Sequence, residues 1–317
     1  MKSKPYITHV ALSGGGMKGL CYMGVFRYLY IEDLVKNIKF VHGISIGSFF
    51  AIVLALKIPI EYMEEEIKKV LLIFNEHNDM SITQKKIHNI IQSNGICDIK
   101  FMMNPIINFL EKEYGVKDIT FQELVKKTGV NIYIKCMNIN KGCERTFSAE
   151  DSPNISVLTA SVASMSIPFI FNPVKIDGDY YVDGEISKNR EIDMFKNAQN
   201  DNILHILLCD CREFMLEEIE TESEFNFMSY STRIFHLLLQ KMLCMYKATT
   251  HEYITNDYTL KISDFHCKEA VKFKLKNANE IRIETTDEDF ENFTLRGFID
   301  ITNHMNNRYK DNTIDTI

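Results

Sequence analysis

An α/β fold built on a mostly parallel sheet is what the sequence predicts, and three observations predict it. Residues 9–13 (His-Val-Ala-Leu-Ser) are an apolar stretch of strand length that runs into Gly14-Gly-Gly-Met-Lys-Gly19 and then into an apolar helical stretch at 20–34. Residues 39–43 (Lys-Phe-Val-His-Gly) repeat the arrangement, followed by a second apolar helix at 48–56. Strand, tight turn and helix in succession, twice over, is the pattern of parallel βα units. Further apolar strands at 131–137 and 203–209 supply more members for the same sheet.

The first helix is apolar nearly all round, which implies burial on every side. A third helix opens at Pro59, a residue suited to a first turn, and carries Ile60, Met63, Ile67, Val70, Leu71 and Phe74 at helical spacing. Helical segments are expected at 84–91, 105–114 and 121–127, with Gly129 stopping the last. Lys141-Gly142 turns the strand at 131–137 back into 144–147 as a hairpin. Residues 155–165 read as helix until Pro168. A second hairpin spans 174–182 around Asp177-Gly178, a pair that tolerates the positive φ angles of a tight turn. Beyond Asp210 the character changes. Residues 213–224 are acidic and unpatterned, followed by a helix at 234–246, a strand at 258–262 and a terminal helix at 287–305. The expected organisation is a catalytic core at 1–210 and a mainly helical extension at 211–317 packed on it.

Composition sets limits on function. The 317 residues are 45% hydrophobic and 25% charged, ordinary for a globular protein with a large core. A net charge of -7 gives no global pull toward nucleic acid. The longest apolar run, 49–56, ends at Lys57, well short of the ~20 residues of a membrane span, and the N-terminal apolar stretch is too short for a signal peptide. Eight cysteines are scattered, and the Cys209–Cys211 pair has no second pair or nearby histidine to complete a zinc site. Reduced thiols in an intracellular compartment are therefore expected.

Two glycine-rich turns carry candidate chemistry. Gly43-Ile-Ser-Ile-Gly47 fits G-x-S-x-G between a strand and a helix, a turn that strains the serine backbone and exposes its hydroxyl above a helix N-terminus. Gly14 to Gly19 satisfies the dinucleotide fingerprint G-x-G-x-x-G, but the second strand ends in His42-Gly43 rather than in the acidic residue a ribose needs. The Walker pattern also fails, because Gly19 follows Lys18. Consecutive glycines can instead turn their amides inward to hold a tetrahedral oxyanion. For the base, nine histidines are available. His42 should point away from the serine, since residues alternate along a strand, and His205 lies in an apolar strand as a core histidine. Val182-Asp183-Gly184 offers a carboxylate whose proton affinity burial can raise, although an Asp-Gly pair also serves as a plain turn.

Four blocks in order resemble the patatin-like phospholipase family. Leu12-Ser-Gly-Gly-Gly-Met-Lys-Gly19 is similar to its oxyanion loop and Gly43-Ile-Ser-Ile-Gly47 to its nucleophile elbow. The segment from Ala160 to Val174 resembles its helix-to-strand passage, and Val182-Asp-Gly-Glu-Ile-Ser-Lys-Asn189 its Asp-Gly-Gly or Asp-Gly-Ala block. The resemblance covers about the first two-thirds of the chain. It implies a three-layer sandwich with helices on both faces of a central, mostly parallel sheet. It implies a Ser45–Asp183 pair without histidine, an oxyanion loop of Gly14, Gly15, Gly16 and Lys18, elbow glycines Gly43 and Gly47, and Gly184 supporting the base loop. No metal and no cofactor are implied. The substrate would be a phospholipid or other acyl lipid met at a membrane surface from the cytoplasm, with room for a protein activator. Two positions depart from the family: Glu185 stands where a small residue is usual, and Glu191 where proline is frequent. A catalytically weak lipid-binding or scaffold protein on the same fold, and a nucleotide-dependent enzyme using Gly14 to Gly19, are the competing readings. The chain segments 75–101 and 213–227 are candidate lids.

Overall fold

The structure is a computed structural model, and it describes residues 6–76, 80–81, 94–187, 191–195, 197–198, 202–208, 259–262, 280–281 and 286–308. In chain order the elements are β1 (His9–Leu12), α1 (Cys21–Ile31), β2 (Phe40–Ile44), α2 (Ile46–Ala55), α3 (Ile60–Glu76), β3 (Met80–Ser81), β4 (Gly95–Cys97), α4 (Ile99–Met102), α5 (Asn104–Tyr114) and α6 (Phe121–Thr128). They continue with β5 (Asn131–Asn138), β6 (Cys143–Phe147), α7 (Val157–Ser164), β7 (Phe169–Phe171), β8 (Val174–Ile176), β9 (Asp179–Asp183), β10 (Ile203–Leu207), β11 (Thr259–Lys261), β12 (Glu280–Ile281) and α8 (Asp287–Arg308). The helix expected at 84–91, the acidic segment 213–224, the helix at 234–246, the Cys209–Cys211 pair and most of both candidate lids lie outside the described residues.

The central sheet has the order β11-β10-β1-β2-β5-β9-β8, with β6 also on β5. Strands β11, β10, β1, β2 and β5 run parallel, while β9, β8 and β6 are antiparallel additions. Side chains alternate across it. Val10, Leu12, Val41, Ile132, Ile134, Leu204 and Ile206 face the main core, shared with α1, α2 and α7. Ala11, Tyr133 and Ile203 face a smaller cluster closed by Ile192 and Phe195 of the short 3-10 turn Glu191–Phe195. The result is the expected three-layer α/β arrangement.

Local chemistry explains the element ends. Thr120 and Glu123 form a reciprocal capping box at the start of α6, and Gly129 ends it at φ 70. Asp177 (φ 49) and Gly178 (φ 91) make the expected tight β8–β9 turn. The first helix departs from expectation. A 3-10 turn, Gly16–Leu20, precedes α1, and α1 stops at Ile31 because Asp33 turns left-handed (φ 56) and the Leu34 N–H closes back on the Leu29 carbonyl at 2.9 Å. The boundary expected at 210/211 lies outside the described residues. Strand β11, from beyond it, pairs with β10, and α8 packs on α1, with Gly24 and Gly297 at the crossing.

Candidate active site

Strand β5 is the ruler on which the site is laid out. Its residues 131–135 pair with β2, 136–138 with β9, and 134–138 with β6. Since β6 overlaps the partners of both others, β2 and β9 must share the opposite edge. They run in opposite directions there, so their carboxyl ends meet head to head, Ile44 opposite Lys135 and Asp183 opposite Cys136. The residue following β2 is Ser45, and the last residue of β9 is Asp183. Ser45 Oγ donates to Asp183 Oδ2 at 2.7 Å, although 138 positions separate the two in sequence.

The elbow has the strained geometry that its glycines permit. Ser45 sits at φ 51, ψ −130, immediately before α2, a backbone region costly for a residue with a side chain. A Cβ on Gly47 would lie 2.4 Å from the Leu12 carbonyl oxygen and one on Gly43 equally close to that of Gly47, so the sharp turn against β1 needs both. Gly184 meets the same requirement on the base side, where a Cβ would stand 2.3 Å from the Lys135 carbonyl oxygen. Three further serines hold the turn. The Ser45 N–H donates to Ser164 Oγ at 2.9 Å, Ser164 Oγ donates to the Lys135 carbonyl at 2.6 Å, and Ser48 Oγ donates to the Ser45 carbonyl at 2.6 Å. The Asp183 N–H donates to the Ser166 carbonyl at 2.9 Å. Ser164, at the end of α7, and Ser166, just beyond it, stand in the segment that resembles the family's helix-to-strand passage, but neither gives a local signal of this use.

Ser45 is 6% exposed and Asp183 3% exposed. Burial pushes the Asp183 carboxyl up to about 7, opposed by hydrogen bonds from the Glu185 N–H (2.9 Å to Oδ1) and the Ser45 hydroxyl. A carboxyl titrating there can take up and release a proton near neutral pH. Neither weighed histidine reaches Ser45. His42 turns to the other sheet face, against Tyr133 and Phe195, with its Nδ1 at the Glu191 carbonyl; burial, with Lys135 next, lowers its pKa to about 4. His205 is satisfied in the core by Glu191 Oε1 at 2.6 Å and Thr259 Oγ1 at 3.2 Å.

The glycine loop follows β1 directly. Its first member, Gly14, is buried, and its N–H donates to Glu185 Oε1 at 2.6 Å. Gly15 and Lys18 are half-buried, and Gly16 is exposed at φ 54, a left-handed conformation that suits glycine. The Lys18 N–H closes a turn onto the Gly15 carbonyl at 3.1 Å. Ser13 anchors the loop from below, its Oγ receiving the Leu208 N–H and its carbonyl the Tyr22 hydroxyl. Among the described residues, no group of three or more His, Cys, Asp or Glu is placed to hold a metal ion. A cleft of about 630 Å³ beyond the β5–β6 hairpin is lined by Lys141, Arg145, Asp179 and Tyr181, and neither Ser45 nor Asp183 borders it.

Comparison with known proteins identifies the family and the fold. The sequence matches the family described as patatin-like phospholipase over residues 10–196. It is 32% identical over 209 residues to probable lipid hydrolase 463L of invertebrate iridescent virus 6, spanning 63% of this chain and 68% of that protein. It is 29% identical over 173 residues to triacylglycerol lipase 4 of Saccharomyces cerevisiae, spanning 52% of this chain and 18% of the lipase. VipD from Legionella pneumophila shares the fold, with a TM-score of 0.52 at 14% identity over 96% of this chain and 67% of VipD. The chain belongs to the patatin-like phospholipase family.

Proposed function

We propose that the protein is a lipid acyl hydrolase of the phospholipase A type that works through Ser45 and Asp183. The observation that carries this reading is the 2.7 Å hydrogen bond from Ser45 Oγ to a buried carboxyl, made at a strained strand-to-helix turn. In the ionised state Asp183 accepts the hydroxyl proton as Ser45 Oγ attacks the acyl carbonyl carbon. The oxyanion so formed lies over the amides of Gly15 and Gly16, near Lys18 and the N-terminal end of α2. Collapse breaks the ester bond, and the departing lysolipid oxygen takes the proton from Asp183. Water then attacks the acyl-Ser45 carbonyl while Asp183 accepts its proton. Release of the fatty acid returns that proton to Ser45.

The scheme routes no step through a metal ion, so activity should persist in excess chelator. No described helix is long and apolar enough to cross a membrane, and the proposed mode of access is peripheral contact with a bilayer on its cytoplasmic side. Exposed apolar side chains such as Tyr62, Leu72 and Phe101 are candidates for that contact. The test is fatty-acid release from phosphatidylcholine vesicles beside emulsified triacylglycerol. Wild-type protein should act on the vesicles with or without chelator, and Ser45→Ala should lose release while melting as wild type does. Hydrolysis retained in Ser45→Ala would remove the nucleophile assignment. Absent hydrolysis together with absent fluorophosphonate labelling of Ser45 in the wild type would favour the lipid-binding alternative.

A further inference from the structure

Glu185 touches both halves of the site at once. Its own N–H donates to Asp183 Oδ1 at 2.9 Å, and its side-chain Oε1 accepts the Gly14 N–H at 2.6 Å. The carboxyl group lies so close against the loop that a Cβ on Gly14 would stand 2.4 Å from Oε1 and 2.7 Å from Cγ. One residue therefore bridges the base loop, at the end of β9, and the glycine loop, at the end of β1. Those two strands do not pair with each other in the sheet: β1 pairs with β10 and β2, and β9 with β5 and β8. A misplacement of about 1 Å between catalytic groups costs as much as 100-fold in rate.

We propose that Glu185 is a positioning residue that ties the oxyanion loop to the base loop through its carboxyl group, setting the distance between Asp183 and the amides of Gly15 and Gly16. This rests on the hydrolase reading given above. Gly14 itself is buried, so the contact does not occupy the exposed end of the loop at Gly16. The groups that face the Glu185 carboxyl are Asp183 beside it, Glu191 and the buried Lys135 of β5. Burial first, then Glu191 and Asp183, raise its proton affinity, and the Gly14 N–H and Lys135 oppose them. The raised proton affinity favours the neutral form of the bridging carboxyl, which spares the oxyanion a negative neighbour. Ionisation of Glu185 at higher pH places a negative charge beside the loop and should slow the reaction.

The test uses the full chain and a dispersed short-chain p-nitrophenyl ester, with Glu185→Ala and Glu185→Gln. Glutamine keeps a neutral oxygen that can accept the Gly14 N–H; alanine does not. The expected result is a kcat about 10- to 100-fold lower in Glu185→Ala, with KM within about two-fold of wild type. Glu185→Gln should recover most of that loss and should lack the alkaline fall of the wild-type pH profile while keeping its acid limb. Wild-type kcat in Glu185→Ala, or an alkaline fall that survives in Glu185→Gln, would overturn the proposal. If Glu185→Ala does not fold, the Glu185→Gln pH profile decides the matter alone. A wild-type protein that neither hydrolyses the ester nor labels at Ser45 would overturn the hydrolase reading itself, a different result from active enzyme that ignores Glu185.

Discussion

At the scale of single residues, Asp183 sets a conflict between stability and chemistry. Its carboxyl titrates at about 7 in the folded protein, against ~3.9 for an aspartate in an unfolded chain. The native state therefore holds this proton more tightly, and native stability falls as pH climbs from about 4 through about 7. Below that window both states are protonated and nothing is lost; above it the full penalty applies, on the order of 4 kcal/mol. Asp183→Asn removes the ionisation, so the variant should melt above wild type at pH 8 and together with it at pH 4, as read by calorimetry. Equal melting temperatures at pH 8 would show that burial does not penalise the charged carboxylate. The same ionisation should make fluorophosphonate labelling of wild-type Ser45 climb as pH passes about 7.

At the scale of elements, the crossing of α1 and α8 depends on two glycines. A Cβ on Gly24 would lie 1.8 Å from the Thr294 carbonyl oxygen, and one on Gly297 2.0 Å from that of Cys21. Gly297→Val should cost about 1–3 kcal/mol or more by forcing the helices apart, measured as a lower urea midpoint with an unchanged slope. An unchanged midpoint would mean that the helices already stand further apart. Neither glycine could be recognised in the sequence, where a glycine inside an apolar helix only lowers helix propensity. The strands, the elbow and the Asp177-Gly178 turn were legible because their signals are local: alternation, glycine spacing and a dipeptide suited to positive φ. Pairing along β5 was not, since it depends on which distant strands share an edge. For the same reason Asp183 could be nominated from its block, but its contact with Ser45 could not be read from either neighbourhood. Ser164, Ser166 and the Glu185–Gly14 bond are hidden in the same way, as ordinary residues made significant only by what lies across the sheet.

At the scale of the whole molecule, the C-terminal segment contributes to the same body as the catalytic elements. Strand β11 extends the main sheet, and Phe290, Phe293, Ile301 and Met305 of α8 join the main core around α1. That cover explains the apolar run Cys21–Phe26 and Leu29 of α1, all buried. The expected burial on every side is not met: Arg27, Tyr28 and Tyr30 are half-buried and Ile31 is exposed. We propose that residues 1–210 do not fold alone; a chain ending at 210 should be insoluble or lack a cooperative melting transition. A soluble, cooperatively melting fragment would show instead that the extension is dispensable. Because β2 and β9 abut along one edge of β5, the gap between nucleophile and base is fixed by backbone pitch, about 3.3 Å per residue, rather than by the long connection between them. Peptide inserted into the surface turns of that connection should leave the gap untouched, whereas a single residue added within β5 between Lys135 and Cys136 would open it by a full step. Tolerance to lengthening in this chain is therefore decided by one strand of eight residues.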